Sequence, residues 1–264
     1  MKCNICNQET KQLFSAEIMK KHTILYYSCL SCNFIQTEKP FWLDEAYSSA
    51  ISSIDVGYVT RNVVYAEIVS SVIKFFYNRK NKFIDYGGGY GMFTRLMRDN
   101  GYDYYRQDIY CENLFAEYFD INDFPKEKLK KFEVLTSFEV FEHLINPIKE
   151  IEKMFAFSES ILFSTALQPD IEFKSIDDWW YFLPFSGQHV SLYSKKSLVA
   201  ISKKFNCNLY TNNRDFHLLT KKKYIINPVF IIYYAYKIRD KIMGKNFLNK
   251  KSLIKKDFEL IKNS

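Results

Sequence analysis

Apolar and polar positions alternate with two distinct periods along this chain. Residues 63–77 place Val64, Ile68, Val72 and Phe75-Phe76 at helical spacing, which predicts a long amphipathic helix. Pro40-Phe41-Trp42-Leu43-Asp44-Glu45-Ala46-Tyr47 predicts a shorter helical lead-in before it. Phe83-Ile84-Asp85-Tyr86 is a brief apolar run ending on glycines at alternate positions, Gly87, Gly89 and Gly91, and reads as a strand stopping at a sharp turn. Phe93, Leu96 and Met97 then share one helical face. Residues 102–108, 132–138 and 161–165 predict further strands, the last apolar and bounded by polar residues.

An acidic residue closing the first strand and three alternate glycines before a helix leave no Cβ between backbone and ligand. A dinucleotide fingerprint wants glycine or alanine where Met92 stands, so a nicotinamide cofactor fits poorly. Asp108 ends the second strand, where a carboxylate accepts both ribose hydroxyls of a nucleoside. Asp85 followed by Gly87-x-Gly89-x-Gly91 resembles motif I of the class I S-adenosylmethionine-dependent methyltransferases. The resemblance runs from about Tyr47 to about Leu219. It implies an α/β fold, a Rossmann-like sheet with helices on both faces, and S-adenosyl-L-methionine as cofactor. It further implies cofactor binding by Asp85, Gly87, Gly89, Gly91 and Asp108, with Ser137 after the fourth strand. Asp120 would accept from the adenine amino group and the Ile121 backbone would meet the ring, with Asp123 the rival for Asp120. Arg61 is the candidate for the methionine carboxylate, and Tyr47 and Tyr58 for lid aromatics.

Cys3-x-x-Cys6 and Cys29-x-x-Cys32 form two pairs separated by 22 residues, while Cys111 and Cys207 stand alone. Four thiolates suit a closed tetrahedral zinc site, structural because no position remains for water. The gap exceeds the usual ribbon spacing, so an extended hairpin is expected within it. The chain opens without an apolar run, and no long uninterrupted apolar stretch follows, which predicts a cytoplasmic protein whose cysteines stay reduced. The expected division is a zinc module over 1–40, the methyltransferase domain over 41–220 and a helical tail over 221–264.

Charge sharpens that division. Residues 221–264 hold 12 Lys+Arg against 3 Asp+Glu, a net of +9, and the other 220 residues hold 25 against 27, a net of −2. A nucleic-acid enzyme concentrates basic charge around its site, so no nucleic-acid partner is expected. The tail's apolar run, Val229 to Tyr236, is expected to pack on the protein's own core, with a membrane surface or a partner protein as alternatives.

Chemistry beyond the cofactor is expected after the fifth strand. Residues 177–193 are dense in aromatics and include His189, an imidazole expected near its ordinary pKa as the base that takes the acceptor's proton. Aromatic faces of this kind suit a carbohydrate pocket. The W-W-Y-x-x-P-x-S-G-Q-H arrangement, with the cysteine pairs, is similar to methyltransferases of bacterial surface polysaccharide and deoxysugar pathways. That resemblance implies a sugar or nucleotide-sugar acceptor, with O-methylation expected over C-methylation. His143 and Glu142 are the reserve catalytic residues. Glu139, Glu142 and His143, at i, i+3 and i+4, would share a helical face, and the E-x-x-E-H pattern resembles ubiquinone-pathway O-methyltransferases, where it can hold a divalent cation. The alternative function is rRNA base methylation behind a zinc ribbon; it lacks the Asn-Pro-Pro-aromatic motif expected after strand four.

Overall fold

A computed structural model of the chain describes residues 1–47, 55–125, 131–243 and 253–263. The chain begins with strands β1 (Thr10–Ile18), β2 (His22–Cys29) and β3 (Ile35–Thr37). Helices α1 (Leu43–Ala46) and α2 (Tyr58–Phe76) precede β4 (Lys82–Tyr86), α3 (Met92–Asp99) and β5 (Asp103–Gln107). Then come β6 (Leu135–Ser137), α4 (Pro147–Phe157), β7 (Ser160–Ser164), β8 (Ser191–Leu192) and α5 (Lys195–Lys204). Strands β9 (Asn208–Thr211) and β10 (Phe216–Thr220) lead into helices α6 (Pro228–Met243) and α7 (Ile254–Asn263). The fold is of the expected α/β class: β4–α3–β5 and β6–α4–β7 are both parallel strand pairs joined through a helix. Two compact units emerge, Met1–Ser49 with Lys130–Lys223, and Ala50–Leu129 with Tyr224–Ser264.

In the second of these units, β4 and β5 run in register from Lys82↔Asp103 to Tyr86↔Gln107. Phe83 stacks on Tyr104 at 5.4 Å, and Phe93 of α3 meets Tyr104 edge-on at 5.6 Å. Phe93 and Met97 are buried as the periodicity predicts, with Thr94 as the third inward residue and Leu96 only half-buried. Helix α2 starts five residues before the predicted position and is rotated: Ala66, Ile68, Val69, Val72 and Ile73 are buried, while Phe75 is exposed. A run apolar on nearly all sides gives its period little power to fix which face turns inward. Helix α6 packs on α2, burying Val229, Ile232, Tyr233 and Tyr236, so the tail's apolar run packs on its own protein as expected. Residues 244–252 and 264 of that tail lie outside the described residues. No helix among the described residues is long and apolar enough to cross a membrane.

In the first unit, β6, β7, β10 and β9 pair in that order, β6 parallel to β7 and the rest antiparallel. Strands β1, β2, β3 and β8 form a separate antiparallel sheet. Residues 1–40 therefore share their sheet with β8, through Ile35↔Leu192 and Gln36↔Ser191. The β1–β2 hairpin fills the gap between the cysteine pairs, with a bulge between Gln12 and Phe14. Its inner face joins Trp42, Trp179, Tyr181, Phe182, Val190 and Leu192 in one apolar cluster. The aromatic segment expected to line a carbohydrate pocket is thus largely core: Trp179, Tyr181 and Phe182 are buried, and Trp180 alone of the four consecutive aromatics is exposed. Aromatic density does not separate a sugar platform from a core layer, because both bury ring faces.

Candidate functional site

The glycine loop after β4 holds its shape through backbone conformations that favour glycine. Gly87, Gly89 and Gly91 have φ of 70°, 54° and 86°. A Cβ on Gly91 would lie 2.7 Å from Asn113 Oδ1 and 3.1 Å from the Ala116 nitrogen, and one on Gly88 would lie 2.8 Å from Asp85 Oδ2. Both positions are filled by protein. Gly89 differs: its nearest neighbour is the Tyr58 hydroxyl at 3.8 Å, so space is open on that side. Tyr58 is half-buried, and burial pushes its phenol up to about 12.

Asp108 follows β5 and faces the loop, as the sequence places it. Its Oδ2 accepts from the Gly89 N–H at 2.9 Å, and its Oδ1 accepts from Tyr110 and Cys111 N–H at 2.7 and 2.9 Å. Both lone pairs of Oδ1 are thus engaged, and Oδ2 keeps one for a ligand hydroxyl. Arg106, which the sequence reading passed over, is the hub of this region. The guanidinium donates from Nε to the Gly89 carbonyl at 2.6 Å, from Nη1 to Asp120 Oδ2 at 2.6 Å, and from Nη2 to the carbonyls of Cys111 and Glu112. An arginine directly after two aromatics in a strand, Tyr104-Tyr105-Arg106, was the available signal, because a buried cation needs a built set of acceptors.

The remaining cofactor candidates are engaged within the protein. Asp120 is buried, paired to Arg106, and accepts through Oδ1 from Asn122 N–H at 3.0 Å, capping a short 3₁₀ turn, Ile121–Asp123. Asp123 accepts from the Asp120 N–H at 2.9 Å, and so closes that cap. Arg61, read from sequence as a loop residue, lies in the first turn of α2 and makes a two-pronged ion pair with Asp55 at 3.0 and 2.6 Å.

The other unit gathers the residues named for catalysis. The predicted helical face of Glu139, Glu142 and His143 does not form. Glu139 takes a left-handed conformation, φ 56°, and accepts at Oε1 from Ser164 Oγ at 2.7 Å; only residues 141–143 make a 3₁₀ turn. A helix cannot pass through a left-handed residue, so the i, i+3, i+4 geometry is lost. Glu142 and His143 meet His189 instead. One ligand-capable atom from each lies within 4.8 Å of the other two, and the imidazole rings are 5.1 Å apart. His143 Nδ1 donates to the Gln188 carbonyl at 3.1 Å and His189 Nδ1 to the Tyr181 carbonyl at 2.6 Å, which leaves Nε2 of each with its lone pair. The expectation of an ordinary His189 pKa is overturned. Burial, and next the His143 charge, push it down to about 3, and burial pushes His143 to about 4. Both rings are neutral at physiological pH. Glu142 is fully buried, and its carboxyl is an electrostatic neighbour of the Tyr181 phenol. Ser137, at the end of β6, is buried, and its hydroxyl has no hydrogen-bond partner among the described residues. Tyr47 meets the His143 ring edge-on at 6.1 Å.

The four cysteines converge with sulfur separations of 3.7 Å (Cys3–Cys32), 3.4 Å (Cys6–Cys29) and 3.6 Å (Cys6–Cys32), and none is in a disulfide. Each pair closes the same turn. Asn7 and Asn33 follow the second cysteine with φ of 59° and 57°, and their N–H groups reach back to the Cys3 and Cys29 carbonyls at 2.9 and 3.1 Å. Backbone N–H groups of Ile5, Ser31 and Cys32 point at the Cys3 and Cys29 sulfurs at 3.4 Å. The twice-repeated C-x-x-C-N was a sequence signal for this turn that the spacing argument did not use, since asparagine tolerates the left-handed region. Cys111 is half-buried, and burial pushes its thiol up; it does the same to Cys207, to about 11, which makes neither a ready nucleophile.

Residues 61–212 match the family model described as a methyltransferase domain, more than half of the chain. No curated protein matches it. Among solved structures, the chain is similar to the plantazolicin methyltransferase BpumL in complex with SAH, at 14% identity over 64% of this chain and 89% of that one, with a TM-score of 0.45. An O-methyltransferase family protein from Burkholderia thailandensis is 12% identical over 69% of this chain and 68% of its own, TM-score 0.47. The bifunctional kinase-methyltransferase WbdD is 13% identical over 70% of this chain, TM-score 0.40, and the match spans 43% of WbdD.

Proposed function

The chain belongs to the methyltransferase-domain family, and we propose that this S-adenosylmethionine-dependent enzyme methylates a hydroxyl of a small-molecule acceptor, a sugar or a nucleotide-sugar or polysaccharide precursor. The observation that carries a hydroxyl acceptor is the neutral histidine pair: each ring is locked through Nδ1 to a carbonyl and keeps an Nε2 lone pair to accept an O–H. The sugar class rests on the sequence resemblance.

Bound S-adenosylmethionine supplies a methyl group on a positively charged sulfur. In the transfer, the acceptor oxygen would take the methyl group as the C–S electron pair goes to sulfur, and the hydroxyl proton would pass to solvent water. For cofactor binding we assign Gly89 the close approach, on its open side beside Tyr58, and Asp108 the ribose hydroxyls. Gly87, Gly91 and Asp85 shape the loop. Asp120 acts through Arg106 and the Ile121 turn, and Arg61 meets a carboxylate only by exchanging Asp55 for it. Ser137 offers a spare hydroxyl. His189 and His143 orient the acceptor O–H rather than hold its proton, because imidazoles this acidic are weak bases.

At the four cysteines the chemistry fits a structural zinc ion. A tetrahedral site with Zn–S bonds of 2.3 Å spaces its sulfurs by about 3.8 Å, close to the separations found here.

Purified protein with S-adenosylmethionine should produce S-adenosylhomocysteine and a singly methylated product from nucleotide sugars or polysaccharide precursors, read by mass spectrometry, and none from total RNA. His189→Ala should lower kcat by about 10²-fold with cofactor affinity unchanged. Methylation of RNA with no sugar product would refute the acceptor assignment.

A further inference from the structure

We propose that Glu142, His143 and His189 form a second metal site, which takes a divalent ion of the zinc class through one carboxylate oxygen and the two Nε2 atoms.

The ligand set is assembled from two separate stretches of chain. The 3₁₀ turn 141–143 brings Glu142 and His143, and the segment before β8 brings His189. One donor atom from each lies within 4.8 Å of the others, so a single ion can reach all three after small side-chain adjustments. Ligating imidazoles commonly donate their second N–H to a carbonyl, which fixes ring tautomer and orientation. Both histidines do so here, at the Gln188 and Tyr181 carbonyls. The Val190 N–H also donates to the Glu142 carbonyl at 2.9 Å, and the Ser191 hydroxyl to that of Leu144 at 2.6 Å, so the two stretches are laced together at the backbone.

The donor set decides the class of ion. Two imidazoles with one carboxylate suit zinc and its neighbours, whereas magnesium and calcium favour oxygen ligands throughout. Three protein ligands leave a tetrahedral ion one open position, unlike the four-sulfur site, which is closed. The catalytic use of this open position rests on the methyl-transfer reading above: with the ion bound, the acceptor hydroxyl meets the ion in place of the two Nε2 atoms, and a cation there lowers its pKa. The ion itself does not depend on that reading.

The test counts metal in the full-length protein. Wild type, saturated with Zn²⁺ and desalted, should hold about two ions per chain by elemental analysis, one for each site. Glu142→Gln and His189→Gln should each hold about one, and that retained ion reports that the cysteine module is still folded. Co²⁺ gives an independent readout: wild type should show thiolate charge-transfer bands together with weaker visible bands from a nitrogen–oxygen site, and the two variants should lose only the latter. Wild type that saturates at one ion, or variants that bind as much as wild type, would overturn the site. Methyl transfer by a preparation holding only the cysteine-bound ion would overturn the catalytic use of the second ion, yet leave the acceptor proposal standing.

Discussion

Two glycines two residues apart separate conformational need from ligand space. Gly89→Ala forces an alanine into the left-handed region, costing about 1–2 kcal/mol, but its Cβ meets nothing closer than the Tyr58 hydroxyl at 3.8 Å. It should fold, and lose S-adenosylmethionine affinity by about 10-fold or more if that open side holds the cofactor, a change worth about 1.4 kcal/mol. Gly91→Ala adds collisions with Asn113 and Ala116 to the same strain and should destabilise by about 3 kcal/mol. Calorimetry and urea unfolding read both variants. Normal cofactor affinity in Gly89→Ala would place the ligand elsewhere. The glycines were legible in the sequence, but which of them faces a ligand was not, because that depends on what chain returns to cover each one.

Among the elements, β10 carries a titratable group into the sheet. His217 is fully buried, with Nδ1 accepting from Thr211 Oγ1 at 2.7 Å and Nε2 donating to the Thr165 carbonyl at 2.9 Å, bridging β9 to the end of β7. Burial pushes its pKa down to about 4. The folded state therefore binds this proton less readily than the unfolded chain, whose histidine titrates near 6.5. Its contribution is complete above about pH 6.5 and is lost as pH falls toward 4, amounting to about 2 kcal/mol between pH 7.5 and pH 5. Urea unfolding at both pH values should show His217→Gln with a pH dependence smaller by about that amount. An unchanged slope would mean that His217 titrates alike in the folded and unfolded chains. Strand β10 itself was within the resembling region, yet His217 received no role from sequence: Phe216-His217-Leu218-Leu219 looks like an apolar run with one polar interruption, and its partners lie 6 and 52 residues away.

At the scale of the molecule, the cysteine segment is bound into the body formed with residues 130–223. Strand β3 lies between β2 and β8, and the hairpin covers the aromatic core that also fixes Tyr181 and the loop before His189. Loss of the zinc ion proposed for the four cysteines should therefore reach beyond residues 1–40. Cys29→Ser should lower the melting temperature and weaken the near-ultraviolet dichroism of buried Trp42 and Trp179, with a stability loss of about 3 kcal/mol or more. A variant that melts like wild type and keeps its aromatic signal would show that the four thiols hold no structural ion.

Sequence alone determined the features that are local in the chain. The strand–glycine–helix turn, Asp108 at the end of β5, the two cysteine turns and the hairpin between them all depend on residues near one another, whose conformational preferences act before any tertiary contact. Tertiary structure decided what distant segments meet. Arg106 found its acceptors, Glu139 turned away to Ser164 while His189 joined Glu142 and His143, and the aromatic run after β7 became core beneath the hairpin. Burial then set the charge of those histidines, a property of what surrounds a side chain and absent from the order of residues along the chain.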